Sequence, residues 1–168
     1  LLTHSHRSTA DDQWLYLPAS KRVKKVASTS VGSSFRGSEF TYEDIASQHR
    51  DHYRFDFVNT ESCGGKTCYV VDRFPEFDES SYSKTRLYID TEYYLVQKGE
   101  FYDVKNTLFK TMLANNYSKH KNGIWKPESI VMENHNTHEK TEIRSLELQF
   151  DVGLSERAFS KLSLRKIR

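Results

Sequence analysis

Histidine, cysteine and the carboxylates are the residues through which this chain of 168 residues could do chemistry. Of its seven histidines, His4 and His6 stand two apart on an extended stretch and share a face. His49 and His52 follow a short helical segment, and His135 and His138 fall in a polar turn. Metal binding would need such imidazoles to meet further ligands at the intervals of a zinc site, and no interval here matches one. Surface histidines are expected, with no metal and no cofactor. Carboxylates gather as Asp11-Asp12, Glu43-Asp44 and the set Asp72, Glu76, Asp78 and Glu79. Paired acids cleave glycosides when a fold holds them across a sugar, yet nothing in these intervals separates a catalytic pair from solvated charge. The G-x-S-x-G elbow, the P-loop, G-x-G-x-x-G and H-E-x-x-H are all absent. The sequence reads as non-enzymatic.

The two cysteines enclose Cys63-Gly64-Gly65-Lys66-Thr67-Cys68, which is neither a C-x-x-C redox motif nor a zinc knuckle. The segment reads as the tip of a β-hairpin with two competing registers. With Gly65-Lys66 as the loop, Cys63 lies opposite Cys68, close enough for a disulfide. With Gly64-Gly65 as the loop, Cys68 faces Glu61, the cysteines are expected to stay unbridged, and Asp56 pairs with Arg73 and Val58 with Val71.

Charge excludes more than it suggests. Lys plus Arg is 25 against 23 Asp plus Glu, a formal +2, which gives no basis for a nucleic-acid partner. The interleaving in His52-Tyr53-Arg54-Phe55 resembles single-strand binders, but aromatics are 13% of the whole chain and the signal is weak. Basic residues do cluster at Lys21, Arg22, Lys24 and Lys25, and again at Lys161, Arg165, Lys166 and Arg168. They read as solvated strand edges and a charged tail, or as a patch for transient contact with anionic headgroups. No apolar run approaches the ~18 residues of a membrane helix. Leu1-Leu2-Thr3-His4 carries no initiator Met and no signal-peptide pattern, so a mature or trimmed product is expected.

The elements that must position these residues are mostly strands. Gln13–Leu17 and Lys21–Val26 read as a strand pair about a turn at Ala19-Ser20, and residues 27–38 as a Ser/Gly-rich loop. Thr41–Gln48 reads as a short helix capped by Thr41. Phe55–Ser62 and Thr67–Phe74 form the cysteine hairpin. Thr85–Thr91 and Glu92–Lys98 follow as one long strand or two, then Phe101–Lys105, Thr107–Tyr117, Ile124–Asn134 and Lys140–Asp151. Their separators are Lys98-Gly99-Glu100, Lys121-Asn122-Gly123 and Asn134–Glu139, of which Asn122-Gly123 is a good hairpin turn. Ser155–Leu162 reads as a terminal helix. Short connections between successive strands imply an antiparallel meander that twists and curls. The fold class is mainly β (α+β), with a few short helices.

Three segments carry a family resemblance: Asp12-Gln13-Trp14-Leu15-Tyr16-Leu17-Pro18-Ala19, then Arg22-Val23-Lys24-Lys25-Val26, then Ser33-Ser34-Phe35-Arg36-Gly37-Ser38-Glu39-Phe40-Thr41-Tyr42-Glu43-Asp44-Ile45. They resemble the outer-membrane lipoprotein-sorting proteins of Gram-negative bacteria, relatives of the periplasmic lipoprotein carrier LolA. Cys68-Tyr69-Val70-Val71, Tyr88-Ile89-Asp90, Glu100-Phe101-Tyr102-Asp103 and Gly123-Ile124-Trp125-Lys126-Pro127 extend the likeness over nearly the whole chain. The resemblance implies a curved, half-open antiparallel sheet, or incomplete barrel, that holds acyl chains. It implies a single domain over residues 1–168 lacking the family's N-terminal strand and helices, and a periplasmic location. It further implies the acyl chains of lipoproteins or lipids as cargo and, for some members, an inner-membrane exporter of the resistance-nodulation-division type as partner.

Reversible acyl binding needs only apolar surface, since each buried CH₂ contributes roughly 0.8 kcal/mol. The candidate lining is Trp14, Tyr16, Val23, Phe55, Phe57 and Val71, continued by Leu87, Ile89, Leu95 and Phe101, with Phe35 and Phe40 on a flap or plug. Which strand parity faces the groove is open at this stage. The alternative function is an accessory module that docks on a membrane exporter without binding lipid.

Overall fold

The structure, a computed structural model, describes residues 1–166 apart from Ser8 and Ala10; Arg168 of the C-terminal basic cluster lies outside the described residues. Two antiparallel sheets carry the fold. The smaller is a three-stranded meander of β1 (Leu2–His4), β2 (Asp12–Leu17) and β3 (Arg22–Lys25). The larger has seven strands: β4 (Tyr53–Cys63), β5 (Lys66–Pro75), β6 (Lys84–Asp90), β7 (Val96–Tyr102), β8 (Leu108–Lys119), β9 (Trp125–Asn134) and β10 (Lys140–Arg144). They follow one another in strict meander order, and the sheet does not close, so β4 and β10 remain edges. The mainly-β antiparallel expectation holds.

Alternation along the strands separates two faces with different chemistry. One carries Asp72, which accepts from Lys84 Nζ at 2.8 Å and Arg86 Nε at 2.7 Å, and Glu100, which is ion-paired to Lys98 and accepts from Tyr88 Oη at 3.2 Å. The register places Phe57, Val71, Leu87, Gly99 and Met112 side by side on the other face. Phe55, Arg73, Thr85 and Phe101 form the row below.

Lys98-Gly99-Glu100 is not a turn, as the sequence suggested, but the middle of β7. Gly99 lies flat beneath its neighbours: a Cβ there would meet Phe101 at 3.2 Å, Met112 at 3.6 Å and Leu87 at 3.7 Å. Those side chains fill the space that glycine leaves, so it serves packing rather than turning. The real turn is Thr91–Leu95, built on the buried Asp90 carboxylate. Asp90 accepts from the backbone N–H groups of Glu92, Tyr93 and Leu95 at 3.2, 2.7 and 3.1 Å, and from Gln97 Nε2 at 2.9 Å.

The cysteine hairpin combines features that the sequence treated as exclusive. Its loop is Gly64-Gly65, both at positive φ, and Glu61 faces Cys68, yet Cys63 and Cys68 are joined by a disulfide. The two cysteines share a face on a diagonal, and their Cα atoms are 5.9 Å apart, within disulfide reach. A bulge at Val58 then shifts the register, so that Asp56 faces Asp72, Phe57 faces Val71 and Phe55 faces Arg73, instead of the pairs Asp56–Arg73 and Val58–Val71. Opening so short a loop by Cys63→Ala is expected to cost about 2 kcal/mol, read as a lower urea midpoint.

Two helices are shorter than expected. Thr41–Gln48 reduces to α1 (Tyr42–Ile45), with a reciprocal cap: Asp44 N donates to Thr41 Oγ1 at 3.1 Å and Thr41 N to Asp44 Oδ2 at 2.7 Å. Ser155–Leu162 is not an α-helix but a 3-10 turn, Glu156–Phe159, with a second at Ser163–Arg165. Lys140–Asp151 is a strand only as far as Arg144.

Candidate functional site

The segment between β3 and β4 covers the lower half of the apolar face, the end carrying the β5–β6, β7–β8 and β9–β10 connections. Its Phe40 is buried with Tyr82, Phe101 and Met132, and Ile45, Phe109, Met112 and Ile130 pack around them. Polar bonds fix the segment: Lys110 Nζ donates to Glu39 O at 2.7 Å, Glu39 N to Thr141 Oγ1 at 3.0 Å and Asn134 Nδ2 to Glu39 Oε2 at 2.6 Å. Phe40 is therefore a plug in the core, and Phe35 stands edge-on to Tyr42 at 5.3 Å.

The upper half of the same face is open. Phe57 is 66% and Phe55 46% exposed, with Tyr69 and Val58 also exposed and Val71, Leu87 and Ile89 half-buried beside them. Phe57, Tyr69 and Tyr94 form a continuous aromatic row, with successive centroids 6.4 Å apart. This contiguous apolar surface can hold an aliphatic chain by burial alone.

Of the residues singled out from sequence, Phe55, Phe57, Val71, Leu87, Ile89 and Phe101 share this face. Leu95 is half-buried in the turn beyond Ile89. Trp14, Tyr16 and Val23 are brought together elsewhere, in a cluster with Leu2 and Leu164 around the three-stranded sheet. Tyr69 and Tyr94 were not singled out. Tyr69 sits two residues before Val71 on one strand face, which a fixed parity would have revealed, whereas Tyr94 reaches the row only through its turn at positive φ.

A separate cavity of about 390 Å³ is lined by Gln13, Glu43, Asp51, His52, Tyr53 and Phe77 among others. Glu43 accepts from Ser80 Oγ at 2.7 Å and Ser81 N at 3.2 Å, and burial pushes its carboxyl up to about 7. Asp44 beside it, bonded by Tyr82 Oη at 3.0 and 2.9 Å, is also raised, chiefly by burial. A carboxyl raised on folding contributes stability that is complete below its unfolded value near 4.5 and is lost as pH rises through about 7. Glu43→Gln is therefore expected to be more stable than the parent at pH 8, by on the order of 2–3 kcal/mol, and to lose that advantage at pH 4.5; thermal melts at the two pH values check it.

No group of His, Cys, Asp and Glu suited to a metal occurs among the described residues. An open antiparallel sheet with one apolar face half plugged from within is a half-open β architecture and not a closed barrel. Comparison with known proteins narrows the class. A family model described only as "-like: Uncharacterized protein" matches residues 1–166. A domain assigned to outer-membrane lipoprotein sorting, from Vibrio parahaemolyticus, superposes with a TM-score of 0.94 at 40% identity, over 97% of this chain and 69% of that one. A DUF1329 family protein from Desulfovibrio piger has a TM-score of 0.89 at 29% identity, covering 96% and 68%. A LolA superfamily protein from Nitrosomonas europaea has a TM-score of 0.71 at 21% identity, covering 90% and 67%, and shares the fold. No curated protein matches the chain. The chain belongs to the family of outer-membrane lipoprotein-sorting proteins, with the LolA-like fold.

Proposed function

We propose that this protein is a non-enzymatic periplasmic carrier that holds the acyl chains of lipoproteins or lipids against the open half of its apolar face, for transfer toward the outer membrane. The observation that carries the reading is the run of Phe55, Phe57, Val71, Leu87 and Ile89 on one sheet face, left uncovered where Phe40 plugs the rest. The membership in a lipoprotein-sorting family supports it, and the Cys63–Cys68 disulfide fits an oxidising compartment. Residues 1–168 act as one domain in this reading, and an inner-membrane exporter of the resistance-nodulation-division type is the partner that the resemblance suggests.

The test is titration of the purified protein with a fluorescent fatty acid. Saturable uptake at about one chain per protein, displaced by unlabelled palmitate, is the expected result. A protein that takes up no fatty acid would instead favour the accessory module.

A further inference from the structure

The meander brings three hairpin tips to the upper end of the large sheet: Gly64-Gly65, Thr91–Leu95 and His120–Ile124. Tyr94 is 70% and Tyr93 44% exposed, Tyr93 packs on Trp125 with centroids 4.7 Å apart, and Ile124 is exposed next to it. Around these rings stand Lys66, Lys119, Lys121 and Lys126, all exposed, and none is ion-paired among the described residues. Glu92 is an exposed carboxylate on the second tip, and Phe150 packs on His120 of the third with centroids 5.3 Å apart. Tyrosine and tryptophan rings that are apolar in body and polar at the edge settle at the headgroup level of a bilayer. Unpaired lysines beside them are attracted by anionic headgroups. The tips also lead to the open face, because Tyr94 stacks on Tyr69 at 15° and Tyr69 meets Phe57.

The basic cluster around β3 is differently placed. Lys25 is bonded to Asp12 at 2.5 Å, and Lys25 and Lys161 both lie over the Trp14 ring, which uses part of that charge within the fold.

We propose that the upper end is a membrane-docking surface, in which Lys66, Lys119, Lys121 and Lys126 meet anionic lipid headgroups while Tyr93, Tyr94 and Trp125 enter the headgroup layer. Docked in this way, the aromatic row from Tyr94 to Phe57 becomes the path along which an acyl chain enters or leaves the open face. The purpose of docking rests on the carrier reading, although its geometry does not.

Flotation with vesicles of phosphatidylcholine containing phosphatidylglycerol, against phosphatidylcholine alone, tests it. The protein is expected to float with the anionic vesicles only, and less as salt rises. The double variant Lys119→Glu/Lys121→Glu should bind at least about 25-fold more weakly, since each lysine near the surface contributes about fivefold. Tyr94→Ser should weaken binding as well, and Lys21→Glu/Lys24→Glu should leave it unchanged. Absence of flotation, equal binding to neutral vesicles, or a loss confined to the Lys21/Lys24 variant would overturn the proposal. Fatty-acid uptake in vesicle-free solution, measured on the same samples, separates the two readings. Uptake without flotation removes the docking surface alone, and flotation without uptake removes the carrier alone.

Discussion

Phe57→Asp is expected to weaken fatty-acid binding at least tenfold while moving the melting temperature hardly at all. Phe57 is 66% exposed, so folding gains little from it, and exposed substitutions usually change stability by no more than about 0.5 kcal/mol. Its ring is the middle of the row that joins Tyr94 through Tyr69 to Val71 and Leu87. Covering an aromatic side chain contributes about 1.5–3 kcal/mol, and a carboxylate there would also have to give up water wherever the chain lies. The paired measurement decides: affinity by fluorescence titration and stability by thermal melt. An unchanged affinity would move the chain off the open face. Lost affinity with a lower melting temperature would make Phe57 structural.

Asp90→Ala is expected to be the most destabilising single change on the upper end, at about 3 kcal/mol or more. The carboxylate is 1% exposed and gathers four hydrogen bonds, so its loss strands three backbone N–H groups and leaves Gln97 Nε2 only its 3.3 Å bond to Leu95 O. Burial alone would raise its pKa, but the bonds from Tyr93, Leu95 and Gln97 outweigh burial and hold it below the usual carboxylate value. The sign follows. A carboxyl depressed on folding stabilises above its unfolded pKa near 4 and loses that contribution as pH falls through the folded value. The gap between parent and variant should therefore be full at pH 7 and shrink in acid. Urea unfolding at pH 7 and pH 3 measures it, and a gap independent of pH would show that the ionised carboxylate is not what holds the turn. The same variant should release Tyr93 and Tyr94 from their seats and so lower vesicle binding.

Much of this arrangement is legible in the residues. Alternating apolar and polar positions between turn signals give the meander, and the segment around Phe40-Thr41-Tyr42-Glu43-Asp44 marks the family and its capped turn. Two kinds of feature are not legible. Register depends on a bulge, and nothing at Val58 announces one, so the pairing below it shifts by a residue and the cross-strand partners of Asp56 and Phe55 change. Glycine carries two opposite meanings: at Gly64-Gly65 it turns the chain, and at Gly99 it makes room for Phe101, Met112 and Leu87. Only the neighbours across the sheet distinguish them. The apolar candidates divide for a similar reason. Trp14, Tyr16 and Val23 have the same pattern as Phe55 and Phe57, but they belong to another sheet, whose partner Leu164 lies far along the chain.

The central claim is that the open half of the large sheet's apolar face holds an acyl chain. Native mass spectrometry of gently purified protein, followed by organic extraction and lipid analysis, tests it most directly. The account predicts a co-purifying acyl lipid at near one-to-one stoichiometry that is lost in Phe57→Asp. A parent protein that is empty, or that carries the same lipid after Phe57→Asp, would contradict it.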